Sequence, residues 1–91
     1  MKRVSIAEAQ SQILALVEGI LQQNSIRADV TPQAHLADIG LTSMDLVGLM
    51  LGVEAEFDFT ISQTDLTPEN FKSVDAIVRM VSSYIQQSKA A

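Results

Sequence analysis

Between Ser43 and Phe57 the chain carries apolar residues on two sides of one helix. At about 100° per residue, Leu46, Leu49, Met50, Val53 and Phe57 cluster on one face. Met44, Val47, Leu51 and Ala55 lie on the opposite side, with Gly48 between them. Asp45, Gly52 and Glu56 form a narrow acidic strip beside that second stripe, and Glu54 borders it on the far side. A helix that is apolar nearly all round is either buried on every side or uses one side to bind something. A chain of 91 residues has little room to surround a helix completely. The second stripe therefore either packs under a loop of the same chain or docks a partner, and docking is the preferred reading. Gly48 and Gly52 each cost about 1 kcal/mol relative to alanine inside a helix. They make sense where another surface comes close.

The remaining segments supply what the first face of this helix packs on. Residues 5–23 read as a helix opened by Ser5 and Glu8 at capping-box spacing, with Val4 and Ala9 placed to staple its start. Ile6, Ala9, Ile13, Val17, Ile20 and Leu21 recur on one face. Residues 24–42 carry no sustained period and are punctuated by Asn24, Ser25, Asp29, Thr31, Pro32 and Gly40. This is a long loop, pinned by Ile26, Val30, Leu36 and Ile39. After the central helix, Phe59 and Ile61 alternate in an extended segment. Thr67 and Pro68 then cap and begin a short helix over 68–71. Ser73 caps a last helix over 74–87, whose core face is Val74, Ile77, Val78, Val81 and Ile85, with Tyr84 at its edge. No β pattern and no internal repeat is present. The expected fold is all-α: one domain over 1–91, a small bundle of three main helices (5–23, 43–57, 74–87) plus one short helix, with a long loop between helices one and two.

Composition excludes several functions. There is no cysteine, hence no disulfide framework, no Cys-based zinc site and no thiol nucleophile in the polypeptide. No run of eighteen or so apolar residues reaches membrane-span length, and no apolar signal core follows Met1-Lys2-Arg3. A cytoplasmic protein and a monomer are expected. The net charge is −5, and its placement matters more than its size. Between Ala28 and Phe71 there is no Lys or Arg, while Asp29, Asp38, Asp45, Glu54, Glu56, Asp58, Asp65 and Glu69 all fall there. Such a one-sign field repels nucleic acid and anionic membrane and attracts basic protein surfaces; on charge alone, simple solubility explains it equally well.

Candidate chemistry concentrates at the start of the central helix, in Asp38-Ile39-Gly40-Leu41-Thr42-Ser43-Met44-Asp45. Gly40 permits a bend, Thr42 or Ser43 is an N-cap, and Asp45 sits where the helix dipole favours an anion. A Ser/His/Asp arrangement assembled from Ser43, His35 and Asp38 or Asp45 lacks the G-x-S-x-G elbow spacing. His35, the only histidine, has no second His or Cys partner for a metal. The acids after Val53 do not match an EF-hand loop. No catalytic residue, no metal site and no enzymatic activity are expected.

The same stretch resembles the phosphopantetheine attachment signature of the acyl carrier protein family. The likeness continues through Val47, Leu49, Met50, Glu54, Glu56, Phe57, Asp58 and Ile61, and the segment Phe71, Ser73, Val74, Ile77 is similar to the family's entry to its last helix. The resemblance implies that Ser43 carries 4′-phosphopantetheine, placed there from coenzyme A by a phosphopantetheinyl transferase. The arm's thiol would hold an acyl or aminoacyl group as a thioester. A ligase that activates the acyl group or amino acid would load it, and a downstream acyltransferase or synthase would take it. It also implies that Met44, Val47 and Leu51 are apolar docking contacts, and Asp45, Glu54 and Glu56 acidic ones. Any acyl cavity would be lined by Met50, Val53, Phe57, Ile61, Phe71 and Ile77. Thr42 and Gly48 stand where fatty-acid carriers usually have acids, as does Ala55, and Ser62 stands where proline is common. These departures point to a dedicated carrier of amino acids or specialised acyl groups. The alternative is an unmodified acidic helix bundle that docks a basic protein.

Overall fold

The computed structural model describes residues 5–90. Four α-helices follow in order: α1 (Ile6–Gln23), α2 (Leu36–Ile39), α3 (Ser43–Phe57) and α4 (Val74–Ala90). Two 3₁₀ turns, Gln63–Asp65 and Pro68–Phe71, lie between α3 and α4. Among the described residues there is no strand, and no helix is long and apolar enough to cross a membrane. The structure is the all-α bundle of three main helices that the periodicity predicts.

The three main helices and the Pro68–Phe71 turn begin where the sequence supplies a cap, whereas α2 starts after His35 with no side-chain cap. The Ser5 hydroxyl accepts the Glu8 N–H at 3.1 Å and the Glu8 carboxylate accepts the Ser5 N–H at 3.4 Å, closing a reciprocal box. Val4, placed by the spacing in the staple, lies outside the described residues. Thr67 accepts the Asn70 N–H at 3.3 Å ahead of Pro68. The buried Ser73 hydroxyl accepts the Ala76 N–H at 3.1 Å to start α4.

The core is contributed by Ala9, Ile13, Val17 and Leu21 of α1, Leu49, Val53 and Phe57 of α3, and Val74, Ile77, Val78 and Val81 of α4. Leu36, Leu41, Ile61 and Phe71 close it from the connections. α1 packs against both α3 and α4. Each fully buried side chain of this kind contributes about 1.5–3 kcal/mol over its exposed state. Ile6, expected on the core face, is 59% exposed. It lies one turn ahead of Ala9, the first buried residue of α1, and so beyond the end of the core. Met80 is buried as well, which widens the core face of α4 beyond the expected stripe.

The loop between α1 and α3 holds structure that periodicity did not reveal. It contains α2, and its backbone is stitched to the entry of α4. The Leu36 N–H donates to the Lys72 carbonyl and the Asp75 N–H to the Pro32 carbonyl, both at 2.8 Å. Ile26, Val30 and Ile39 pack on the core as expected. Gly40 ends α2 in the left-handed region at φ 111°, where a side chain is strained; a β-carbon there would also lie 3.2 Å from Ile26 Cδ1.

Candidate functional site at the start of α3

The turn at Gly40 delivers Thr42 and Ser43 to the surface. Thr42 is the N-cap, in extended conformation, and Ser43 is the first residue of α3. Asp45 N–H donates to Thr42 Oγ1 at 3.2 Å. In return Asp45 Oδ2 accepts the Thr42 N–H at 2.9 Å and the Thr42 hydroxyl at 3.0 Å. The Thr42 backbone N–H holds the Asp45 carboxyl below the usual carboxylate range, and the Asn24 amide adds to the effect. Asp45 therefore serves the local fold as well as the acidic surface.

Ser43 is exposed, and among the described residues its hydroxyl takes part in none of these bonds. It stands in the first turn of the helix, where the partial positive charge of the N-terminus suits an attached phosphate. Leading away from it is a groove of about 490 Å³. One wall is Leu46, Val47 and Met50 of α3; the other is Leu66, Thr67, Pro68 and Phe71. An exposed hydroxyl at a helix start, opening onto a largely apolar groove, fits a phosphate-linked arm.

Of the six residues expected to line an acyl cavity, Met50 and Phe71 border this groove. Val53, Phe57, Ile61 and Ile77 are instead packed within the core. Leu66, Thr67 and Pro68 were missed as wall residues. Their sequence signals are a helix cap and an isolated apolar residue, neither of which reports a groove. The wall is held from α4: the Tyr84 hydroxyl donates to Asp65 Oδ2 at 2.6 Å and accepts the Ser62 N–H at 2.8 Å. Asn70 Nδ2 donates to the Asp65 carbonyl at 2.8 Å. A second hollow, about 420 Å³, lies between the end of α1 and the following loop, around Glu18, Ile26 and Arg27, and contains none of the expected site residues.

Among the described residues, none covers the outer apolar stripe of α3. Met44 is 78% exposed, Leu51 56% and Val47 48%. Gly48 and Ala55 are exposed beside them. Asp45 and Glu56 are half-buried at the border of the stripe. Glu54 is also half-buried, and its carboxylate accepts the Ile61 N–H at 2.8 Å, tying down the segment after α3. Gly52 meets a surface of its own chain, since a β-carbon there would lie 3.4 Å from Leu16 Cδ2, whereas one at Gly48 would meet none of the described residues within 4 Å.

Comparison with known proteins agrees with this geometry. The family described as phosphopantetheine attachment site matches residues 11–81. Aminoacyl carrier protein 1 of Bradyrhizobium diazoefficiens is 61% identical over 84 residues, 92% of this chain and 93% of that one. A chain in the crystal structure of Bradyrhizobium japonicum glycine:[carrier protein] ligase complexed with glycylated carrier protein superposes with TM-score 0.69 and 66% identity, covering 78% of this chain and 96% of that one. In a second complex of that ligase, with its cognate carrier protein and an analogue of glycyl adenylate, the values are 0.71 and 65%, covering 81% and 96%.

A small helical carrier is thus the class that fold and relatives define. The chain belongs to the phosphopantetheine attachment-site family of carrier proteins. Its cofactor is covalently attached 4′-phosphopantetheine, whose terminal thiol holds an acyl group as a thioester. That sulfur supplies a chemistry that a cysteine-free chain lacks.

Proposed function

We propose that this protein is a dedicated aminoacyl carrier whose arm is attached at Ser43, and that glycine is the first cargo to test. The observation that carries the reading is the exposed Ser43 hydroxyl at the capped start of α3, opening onto the groove of about 490 Å³. Thr42 and Asp45 hold that helix start, so the hydroxyl is presented on rigid backbone. No general base bonds to Ser43 among the described residues, so the transferase brings the base that takes its proton. The groove walls shield the root of the arm. The cargo assignment is supported by the similarity to a chain found with the glycine ligase. A chain covered to 96% by a 91-residue protein is of carrier size, and the complex contains glycylated carrier.

The loading partner in this reading is an amino acid:carrier protein ligase, which docks on Met44, Val47 and Leu51 with basic groups facing Asp45 and Glu56. Glu54 adds charge to that border while its carboxylate remains engaged with Ile61. Contacts of this kind favour fast, reversible encounter, which suits a shuttle. The test is sequential intact-mass measurement. Coenzyme A and a phosphopantetheinyl transferase should add one arm to wild type and none to Ser43→Ala. The Bradyrhizobium ligase with glycine and ATP should then add one glycyl group to the armed protein alone. An arm on Ser43→Ala would overturn the site, and failure of armed protein to accept any amino acid would overturn the cargo class.

A further inference from the structure

Among the described residues, nothing requires glycine at position 48. Gly40 needs its positive φ, and Gly52 faces Leu16. At Gly48 a β-carbon would touch nothing within 4 Å. A mid-helix glycine is nevertheless less stable than alanine by about 0.5–1 kcal/mol. The position borders the exposed stripe: Met44, one turn before it, and Leu51, almost one turn after, flank it on the apolar side, and Asp45 lies on the other. Without a side chain at Gly48 the helix backbone is left bare there, with Met44 and Leu51 on one side and the acidic strip of Asp45 and Glu56 on the other. This is the notch.

We propose that Gly48 is a specificity-determining residue for loading. The amino acid:carrier protein ligase seats an apolar side chain directly on the α3 backbone at Gly48, beside Met44 and Leu51, and a side chain at this position excludes it. The inference rests on the carrier reading above and names the point on α3 where the loading enzyme comes closest. The occupant is a ligase surface with an apolar centre and a basic rim, for two reasons. The acidic border faces no Lys or Arg from the whole interval between Ala28 and Phe71. Chains 65–66% identical to this one are found with such a ligase.

The experiment uses armed protein, each variant first checked by intact mass for a complete arm. The probe is the Bradyrhizobium glycine ligase with glycine and ATP, and the readouts are KM for the carrier, kcat and melting temperature. Gly19→Ala is the control, since Gly19 is exposed in α1 and a β-carbon there also meets nothing within 4 Å. Gly19→Ala and Gly48→Ala should both raise the melting temperature. Gly48→Ala should raise KM severalfold, and Gly48→Gln, which projects a long side chain from the notch, by about tenfold or more, with kcat retained. Gly19→Ala should load as wild type. If Gly48→Gln loads with wild-type KM while Val47→Asp does not load, the stripe docks the ligase and the notch proposal is wrong. If Val47→Asp and Leu51→Asp also load normally, docking on α3 fails with it. Armed wild type that this ligase does not load overturns the proposal for this partner, and the arm's presence by mass keeps that failure separate from the attachment site.

Discussion

Removing the hydroxyl of Tyr84 is the most direct test of how the groove wall is held. In Tyr84→Phe the ring keeps its place against Phe59, with centroids 4.8 Å apart, so packing is largely retained. Lost are the bond donated to Asp65 at 2.6 Å and the bond accepted from Ser62 N–H at 2.8 Å. A hydrogen bond to a charged group is worth about 1.5–3 kcal/mol, and water reaching the freed carboxylate and amide recovers part of it. The expected net loss is about 1–2 kcal/mol. In a domain of this size each kcal/mol moves the melting temperature by about 4–8 °C, so a fall of about 4–16 °C should be seen. Urea unfolding at neutral pH should show a lower midpoint with the slope unchanged, and the Ser62 amide should exchange faster while the α1 amides do not. The ionisation of Tyr84 gives a second handle. Burial first, and the bond to Asp65 next, push its pKa above the ordinary tyrosine range. The folded state then holds the proton more tightly than the unfolded state. The contribution is complete below the unfolded pKa and is lost as pH rises through the raised folded value. The gap between wild type and Tyr84→Phe should be constant at neutral pH and narrow in alkali. A melting temperature within about 2 °C of wild type, with Ser62 still protected, would refute the latch.

Three further outcomes are expected. Thr42→Ala removes the cap of α3 and should cost about 1 kcal/mol in urea unfolding. Because Thr42 holds the Asp45 pKa down, the Asp45 contribution is present above its unfolded pKa and disappears as pH falls through the depressed folded value. The stability difference between wild type and Asp45→Asn should therefore close only in acid. Glu54→Ala should destabilise by about 1 kcal/mol by freeing the Ile61 N–H, whereas Glu54→Gln, which keeps an acceptor, should melt close to wild type.

What was legible in the sequence was what depends on neighbours in sequence. The Ser5–Glu8 box, the Thr67-Pro68 start and the Ser73 cap are local chemistry, and each appears where its spacing places it. The two-sided pattern of α3 separated Leu49, Val53 and Phe57 in the core from Met44, Val47 and Leu51 at the surface. The choice between Thr42 and Ser43 as cap stayed open because both carry a hydroxyl; the structure resolves it through Asp45, which stands three residues after Thr42. What was not legible depends on distant partners. α2 is too short to show a period and is fixed by a backbone bond to Lys72. The groove wall at Leu66–Phe71 is positioned by Tyr84, far along the chain. The bond from Ile61 to Glu54 required knowing how the chain turns at Asp58, which caps α3 in the left-handed region at φ 55°.

The two backbone bonds that stitch Pro32 and Leu36 to Asp75 and Lys72 join the approach to Ser43 with the entry of the last helix to be made. Closing so long a loop carries an entropy that is recovered only when both ends are in place. The turn that presents Ser43 is thus anchored by residues on the far side of α3, although the serine itself lies mid-chain. A chain cut before Lys72 would lose both bonds, and with them the backbone anchor of the loop that leads to Ser43.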